Sequence, residues 1–131
     1  MMNKKTIWII DDDSIFKIII KKLLAKFSNF ENVITFSNGE EAFSAFKDKL
    51  EMKQKLPDII FLDIEMPIMD GWEFMEQIDL LKPIFNDQQV EIFILSSSIT
   101  VEDKLKAENN PNIKGYLTKP ITLEDIKKNI S

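Results

Sequence analysis

The chain has 131 residues, 44% hydrophobic and 30% charged, enough for one globular domain with its own core and too few for two. It contains neither cysteine nor histidine, which excludes disulfides, thiolate metal sites, an imidazole base and phosphoryl donation from phosphohistidine. All 17 cationic side chains are lysine against 22 acids, a net charge of −5, so direct nucleic-acid binding is not expected.

Along the chain, short apolar runs alternate with longer amphipathic segments. Thr6–Ile10 reads as a first strand and is followed by Asp11-Asp12-Asp13. This opening run is too short for a signal-peptide core. A helix over Ser14–Phe27, capped by Asp13 or Ser14, places Phe16, Ile19, Ile20, Leu23 and Phe27 on one face. Val33–Phe36 is a second strand, and Gly39–Lys49 a helix with Ala42, Phe43 and Phe46 inward. Asp58–Leu62 is the third strand, then Trp72–Leu81 a helix with Phe74, Ile78 and Leu81 inward. Glu91–Leu95, a short weak helix at Val101–Glu108 ended by Asn109-Asn110-Pro111, Gly115–Leu117 and a last helix at Leu123–Ile130 complete the series. Leu123, Ile126 and Ile130 face inward in that last helix.

Three of the strands are nearly all apolar, as expected where a parallel sheet is covered on both faces. The order is (βα)5, which predicts an α/β fold with a doubly wound, five-stranded parallel sheet and right-handed crossovers. No apolar run approaches the ~20 residues of a membrane span, so no membrane insertion is expected, and a cytoplasmic location agrees with the lack of cysteine. One domain over 1–131, with no fused effector, is the expected organisation.

In open α/β sheets, ligands bind beyond the carboxyl ends of the strands. Asp11, Asp12, Asp63, Ser96 and Lys119 all fall at or just after such ends. An aspartate in Asp63's position serves as a turn residue, a metal ligand or a phosphoryl acceptor; the neighbouring segments bear on the choice. Carboxylates about 4 Å apart repel by about 4 kcal/mol at an effective dielectric near 20, so a cluster of them favours a cation. All-oxygen ligands point to Mg²⁺ or another hard ion. Beside that cation Asp63 becomes a candidate nucleophile forming an aspartyl phosphate. The Ser96 hydroxyl has the size to hydrogen-bond a phosphoryl oxygen. Lys119, stiffened by Pro120, where a cis bond is accessible, supplies a fixed ammonium. Tyr116 and Trp72 read most simply as packing residues.

Ile9-Ile10-Asp11-Asp12-Asp13, Leu62-Asp63-Ile64-Glu65-Met66-Pro67-Ile68-Met69-Asp70-Gly71 and Gly115-Tyr116-Leu117-Thr118-Lys119-Pro120, in this order, resemble the receiver domain of bacterial two-component response regulators over essentially the whole chain. The resemblance implies a flavodoxin-like receiver fold and a stand-alone phosphorylation switch, not an enzyme beyond its own phosphorylation and dephosphorylation. It implies Asp63 as the phosphorylated residue, and Asp11, Asp12, Asp63 and the backbone carbonyl of Glu65 as Mg²⁺ ligands. Ser96 and Tyr116 match the switch pair, and Lys119 the lysine that grips the phosphoryl group. The donor is then a histidine kinase or histidine phosphotransfer protein, and an unknown downstream protein reads the helix 4, strand 5 and helix 5 face.

Against the pattern that the resemblance implies, Glu65 puts a carboxylate two residues after the acceptor and Ser98 is small and uncharged two residues after the switch serine; both are expected to tune phosphoryl lifetime. Glu108–Ile113 lacks the alanine- and glycine-rich character common in relatives. Two other readings compete. A pseudo-receiver would keep the fold without phosphorylation, against which the intact acid, hydroxyl and lysine set argues. A Mg²⁺-dependent aspartyl-phosphate hydrolase needs a second acid and a substrate cap, for which the chain is short.

Overall fold

The computed structural model describes residues 4–130; the ends of the expected 1–131 domain lie outside them. Its elements run β1 Lys5–Ile10, α1 Ser14–Leu24, β2 Phe30–Phe36, α2 Gly39–Glu51, β3 Ile59–Asp63, α3 Gly71–Leu81, β4 Glu91–Ser96, α4 Val101–Glu108, β5 Ile113–Thr118 and α5 Leu123–Asn129. One sheet holds the five strands in the order β2-β1-β3-β4-β5, and every neighbouring pair is parallel. The alternation of β and α thus yields the expected doubly wound fold.

Side chains alternate across the sheet and divide the core in two. Ile7, Ile9, Ile59, Phe61, Phe93 and Leu95 pack with α1 and α5. Trp8, Ile10, Ile60, Leu62, Ile92 and Ile94 pack with α2, α3 and α4. β1, β3 and β4 are the central strands, buried on both faces, which is why their sequences are nearly unbroken apolar runs. β2 and β5 are the edges. Glu31, Asn32 and Lys114 are exposed there, and these polar residues hide the starts of both strands from the apolar-run criterion.

Asp13 caps α1, accepting from the backbone N–H groups of Ile15 and Phe16. The helix is shorter than expected, because Lys26 and Phe27 donate to the carbonyls three residues back and tighten the last turn. Its buried stripe is Phe16, Ile20 and Leu24, at intervals of four. Ile19 therefore rotates out and is 52% exposed, a correction to the expected inward face. Phe43, Leu81 and Leu123 are half-buried rather than buried. α4 keeps its expected span and gains a capping box between Thr100 and Asp103. Among the described residues, no helix is long and apolar enough to cross a membrane.

Candidate functional site

The sheet order reverses between β1 and β3, and β1 leads into Asp11 while β3 ends on Asp63. A ligand crevice opens at such a switch point. Asp11 is fully buried, held by its backbone N–H to the Phe36 carbonyl at 3.0 Å and by the Asp13 N–H to its Oδ1 at 2.9 Å. Asp63 is buried and Asp12 exposed. Oxygens from these three carboxylates all lie within 4.8 Å of one another.

Lys119 reaches the same point from beyond β5. Its Nζ is 2.5 Å from Asp11 Oδ2 and 3.6 Å from Asp63 Oδ1, and lies 4.5 Å from the Phe16 ring centroid. The Lys119–Pro120 bond is cis, and the Lys119 N–H donates to the Ser96 carbonyl at 2.9 Å. Ser96 is buried at the end of β4, one register position beyond the partner of Asp63. Its Oγ accepts from the Ser98 N–H at 3.0 Å. Glu65 and Ser98 are exposed and Tyr116 half-buried, with Lys104 Nζ 5.8 Å from the Tyr116 ring centroid.

The charges at this rim are not balanced. Burial, then the Asp11 charge, pushes the Asp63 carboxyl up to about 7; Lys119 pulls it down and Asp12 adds to the rise. Burial works against the Lys119 ammonium, but its hydrogen bond to Asp11 and the charges of Asp11, Asp63 and Asp13 prevail and raise its pKa. One lysine faces three acids. The arrangement has room for further positive charge.

Gly71 sets the distance between the β3 end and α3. Its N–H donates to the Ile64 carbonyl at 2.9 Å, and a Cβ there would meet the Asp63 carbonyl oxygen at 2.5 Å. No larger residue fits without moving the backbone of Asp63. The intervening loop carries Ile68 at φ 70°, a left-handed conformation that is costly for a β-branched residue.

The family model for the response regulator receiver domain matches residues 7–131. The chain belongs to that family. Chemotaxis protein CheY of Halobacterium salinarum is 29% identical over 127 residues, covering 97% of this chain and 94% of that protein. A probable C4-dicarboxylate response regulator, DctR of Halalkalibacterium halodurans, is 29% identical over 91% of this chain, which spans only 46% of that longer protein. A two-component response regulator from Cytophaga hutchinsonii has a similar structure, with TM-score 0.81 and 29% identity over 96% of this chain and 94% of that one. Membership makes the chain a receiver domain of phosphorylation-dependent signalling, and neither the hydrolase nor the pseudo-receiver reading is favoured.

Two contacts of this receiver escape the sequence. The Trp72 indole N–H donates to Asp103 Oδ1 at 3.2 Å, so the residue read as packing also ties α3 to the cap of α4. Asp79 accepts from the side-chain amides of Asn110 and Asn112 at 2.9 and 2.7 Å. The asparagine-rich segment after α4 is thereby fastened to α3. Each pair is 31 or more residues apart in sequence, and no spacing rule exposes it.

Proposed function

We propose that Asp63 is the phosphoryl acceptor of this receiver, and that the arrangement of Asp11, Asp12 and Asp63 around Lys119 is what equips it. A carboxylate oxygen of Asp63 attacks the phosphorus of a phosphohistidine on a histidine kinase or phosphotransfer protein. The P–N bond breaks and its electron pair returns to the imidazole. Asp11, Asp12, Asp63 and the Glu65 backbone carbonyl would hold Mg²⁺. The donor set fits a hard ion, being all oxygen, and Asp11 Oδ2 is buried with no hydrogen bond of ordinary geometry beside its Lys119 ion pair. Bound there, Mg²⁺ supplies positive charge to the phosphoryl oxygens.

Lys119 pairs with Asp11 and, at longer range, with Asp63 in the empty site, and with the phosphoryl oxygens in the loaded one. The Ser96 hydroxyl donates to a phosphoryl oxygen, drawing the loop after β4 toward the rim. Tyr116 turns inward into the space released, and the α4–β5–α5 face presents a different surface to its downstream partner. Glu65 and Ser98 are exposed, two residues after Asp63 and Ser96, and act on the attack of water at the acyl phosphate. Substituting either by alanine changes the dephosphorylation rate, measured on the phosphorylated protein; unchanged rates in both would remove them from this role.

The observation that carries this reading is the convergence of three carboxylates and one ammonium at the switch point of the sheet. Intact-protein mass spectrometry after acetyl phosphate treatment tests it. A single Mg²⁺-dependent phosphoryl addition is expected in wild type and none in Asp63→Asn. Equal addition to the variant would place the acceptor elsewhere.

A further inference from the structure

Away from the rim, α3 and α4 enclose an open groove of about 700 Å³. Trp72, Met75 and Leu105 supply its apolar lining, and Leu105 is 54% exposed. The groove is built rather than incidental, because both its ends are clasped. At one end Trp72 donates to Asp103, the residue that closes the α4 capping box with Thr100. At the other, Asp79 takes one amide from Asn110 and one from Asn112. From Trp72 to Asp79 is seven residues of helix, about 10 Å, the length of two helical turns.

The electrostatics of this groove select its occupant. Glu76, Asp79 and Glu102 line it against a single cation, Lys106. That lysine is already engaged, 3.9 Å from Glu102 and 5.4 Å from the Trp72 ring centroid. Asp79 accepts one hydrogen bond per oxygen from neutral donors, which leaves its charge and further lone pairs available. A second copy of this chain, at net −5, brings like charge, and so does a nucleic acid or an anionic membrane. A cationic segment with an apolar side matches on both counts.

We propose that the α3–α4 groove is a docking surface for a cationic amphipathic segment of a partner protein. Its apolar side chains sit on Trp72 and Leu105, and its lysines or arginines face Glu76, Asp79 and Glu102. This surface shares α4 with the α4–β5–α5 face but lies on the side of α4 that meets α3, and it does not depend on the identity of the phosphoryl acceptor. Because Trp72 also holds Asp103, occupancy of the groove bears on the cap of α4 and on the loop that follows Ser96.

The test is an NMR titration of the isotopically labelled, unphosphorylated protein. The probe is a synthetic Leu/Lys amphipathic helix of about ten residues, roughly 15 Å long. A peptide of the same composition in scrambled order is the control. The expected result is saturable shifts at the Trp72 indole N–H and along 75–79 and 102–106, with the buried Trp8 indole unmoved. Glu76→Lys combined with Glu102→Lys alters only exposed positions, and binding should weaken about tenfold or more. An unchanged thermal midpoint certifies the fold of that variant. Equal binding of the scrambled peptide overturns the proposal, as do shifts centred on Asp11, Asp12 and Asp63. Full affinity in the charge-reversed variant, or no saturable shift, overturns it equally.

Discussion

Two acidic regions of this receiver make opposite use of a half-buried or buried aspartate. At the rim, Asp63 lies beside Asp11 and Asp12 with one lysine among them. On the flank, Asp79 has a neutral amide donor on each oxygen, and Asp103 is served by Thr100 and Trp72. Burial raises the carboxyl of Asp63, whereas the hydrogen bonds on Asp103 outweigh its desolvation and lower it. On the flank the hydrogen bonds of Asp79 and Asp103 are met by donors from neighbouring segments and hold helices in place. The rim is left with unbalanced negative charge, which costs stability and is what a cation or a phosphoryl group can use.

The largest effect comes from breaking the geometry of the rim itself. Gly71→Ala puts a methyl group 2.5 Å from the Asp63 carbonyl oxygen, and the obstacle is backbone rather than a flexible side chain. A loss of about 3 kcal/mol is expected by urea denaturation, with Mg²⁺ affinity reduced in what remains folded. A variant of unchanged stability that binds Mg²⁺ normally would show that the β3 end is not held as tightly as the contact implies.

Removing charge from the rim has the opposite sign. The Asp63 carboxyl has a folded-state pKa of about 7 against an ordinary value of 3.8. Between those values the folded protein holds more protons than the unfolded chain, so stability falls as pH rises through this window. Asp63→Asn removes the penalty. It should be more stable than wild type by about 2 kcal/mol at pH 8 in EDTA. That is below the ~4 kcal/mol of full linkage, because solution counterions relieve part of the charge. The advantage should vanish near pH 4 and shrink when Mg²⁺ is added, since a ligand of the folded state stabilises wild type. An Asp63→Asn protein less stable than wild type at pH 8 would put Asp63 in the same class as Asp79.

The rim is more legible in the sequence than the flank, and the reason is topological. A central strand of a parallel sheet announces itself as an apolar run, and whatever follows it is delivered to one edge of the sheet. Asp11, Asp63, Ser96 and Lys119 can therefore be grouped from the chain order alone. The edge strands read short because Glu31, Asn32 and Lys114 face solvent. Ile19 reads as inward because a helix rich in isoleucine offers several stripes, and only the packing against α5 and the sheet selects Phe16, Ile20 and Leu24. Trp72, Asp79, Asn110 and Asn112 give no signal, since side chains that meet across two helices carry no local periodicity. The left-handed Ile68 is equally silent, because nothing in an isoleucine marks such a backbone.

The smallest expected effect sharpens the contrast between the two aspartates. Asp79→Ala removes the acceptor for Asn110 Nδ2 and Asn112 Nδ2. Both donors are half-buried and must find water, so the loss is about 1 kcal/mol rather than the full cost of a buried orphan. Unlike Asp63→Asn, this variant should be less stable at neutral pH, and Mg²⁺ should leave the difference unchanged because the pair lies on the flank. Hydrogen exchange should quicken over 108–112, the segment that Asp79 fastens, while the ends of β1 and β3 keep wild-type protection. If protection falls at the rim as well, the two regions form one cooperative unit and the division drawn between them fails.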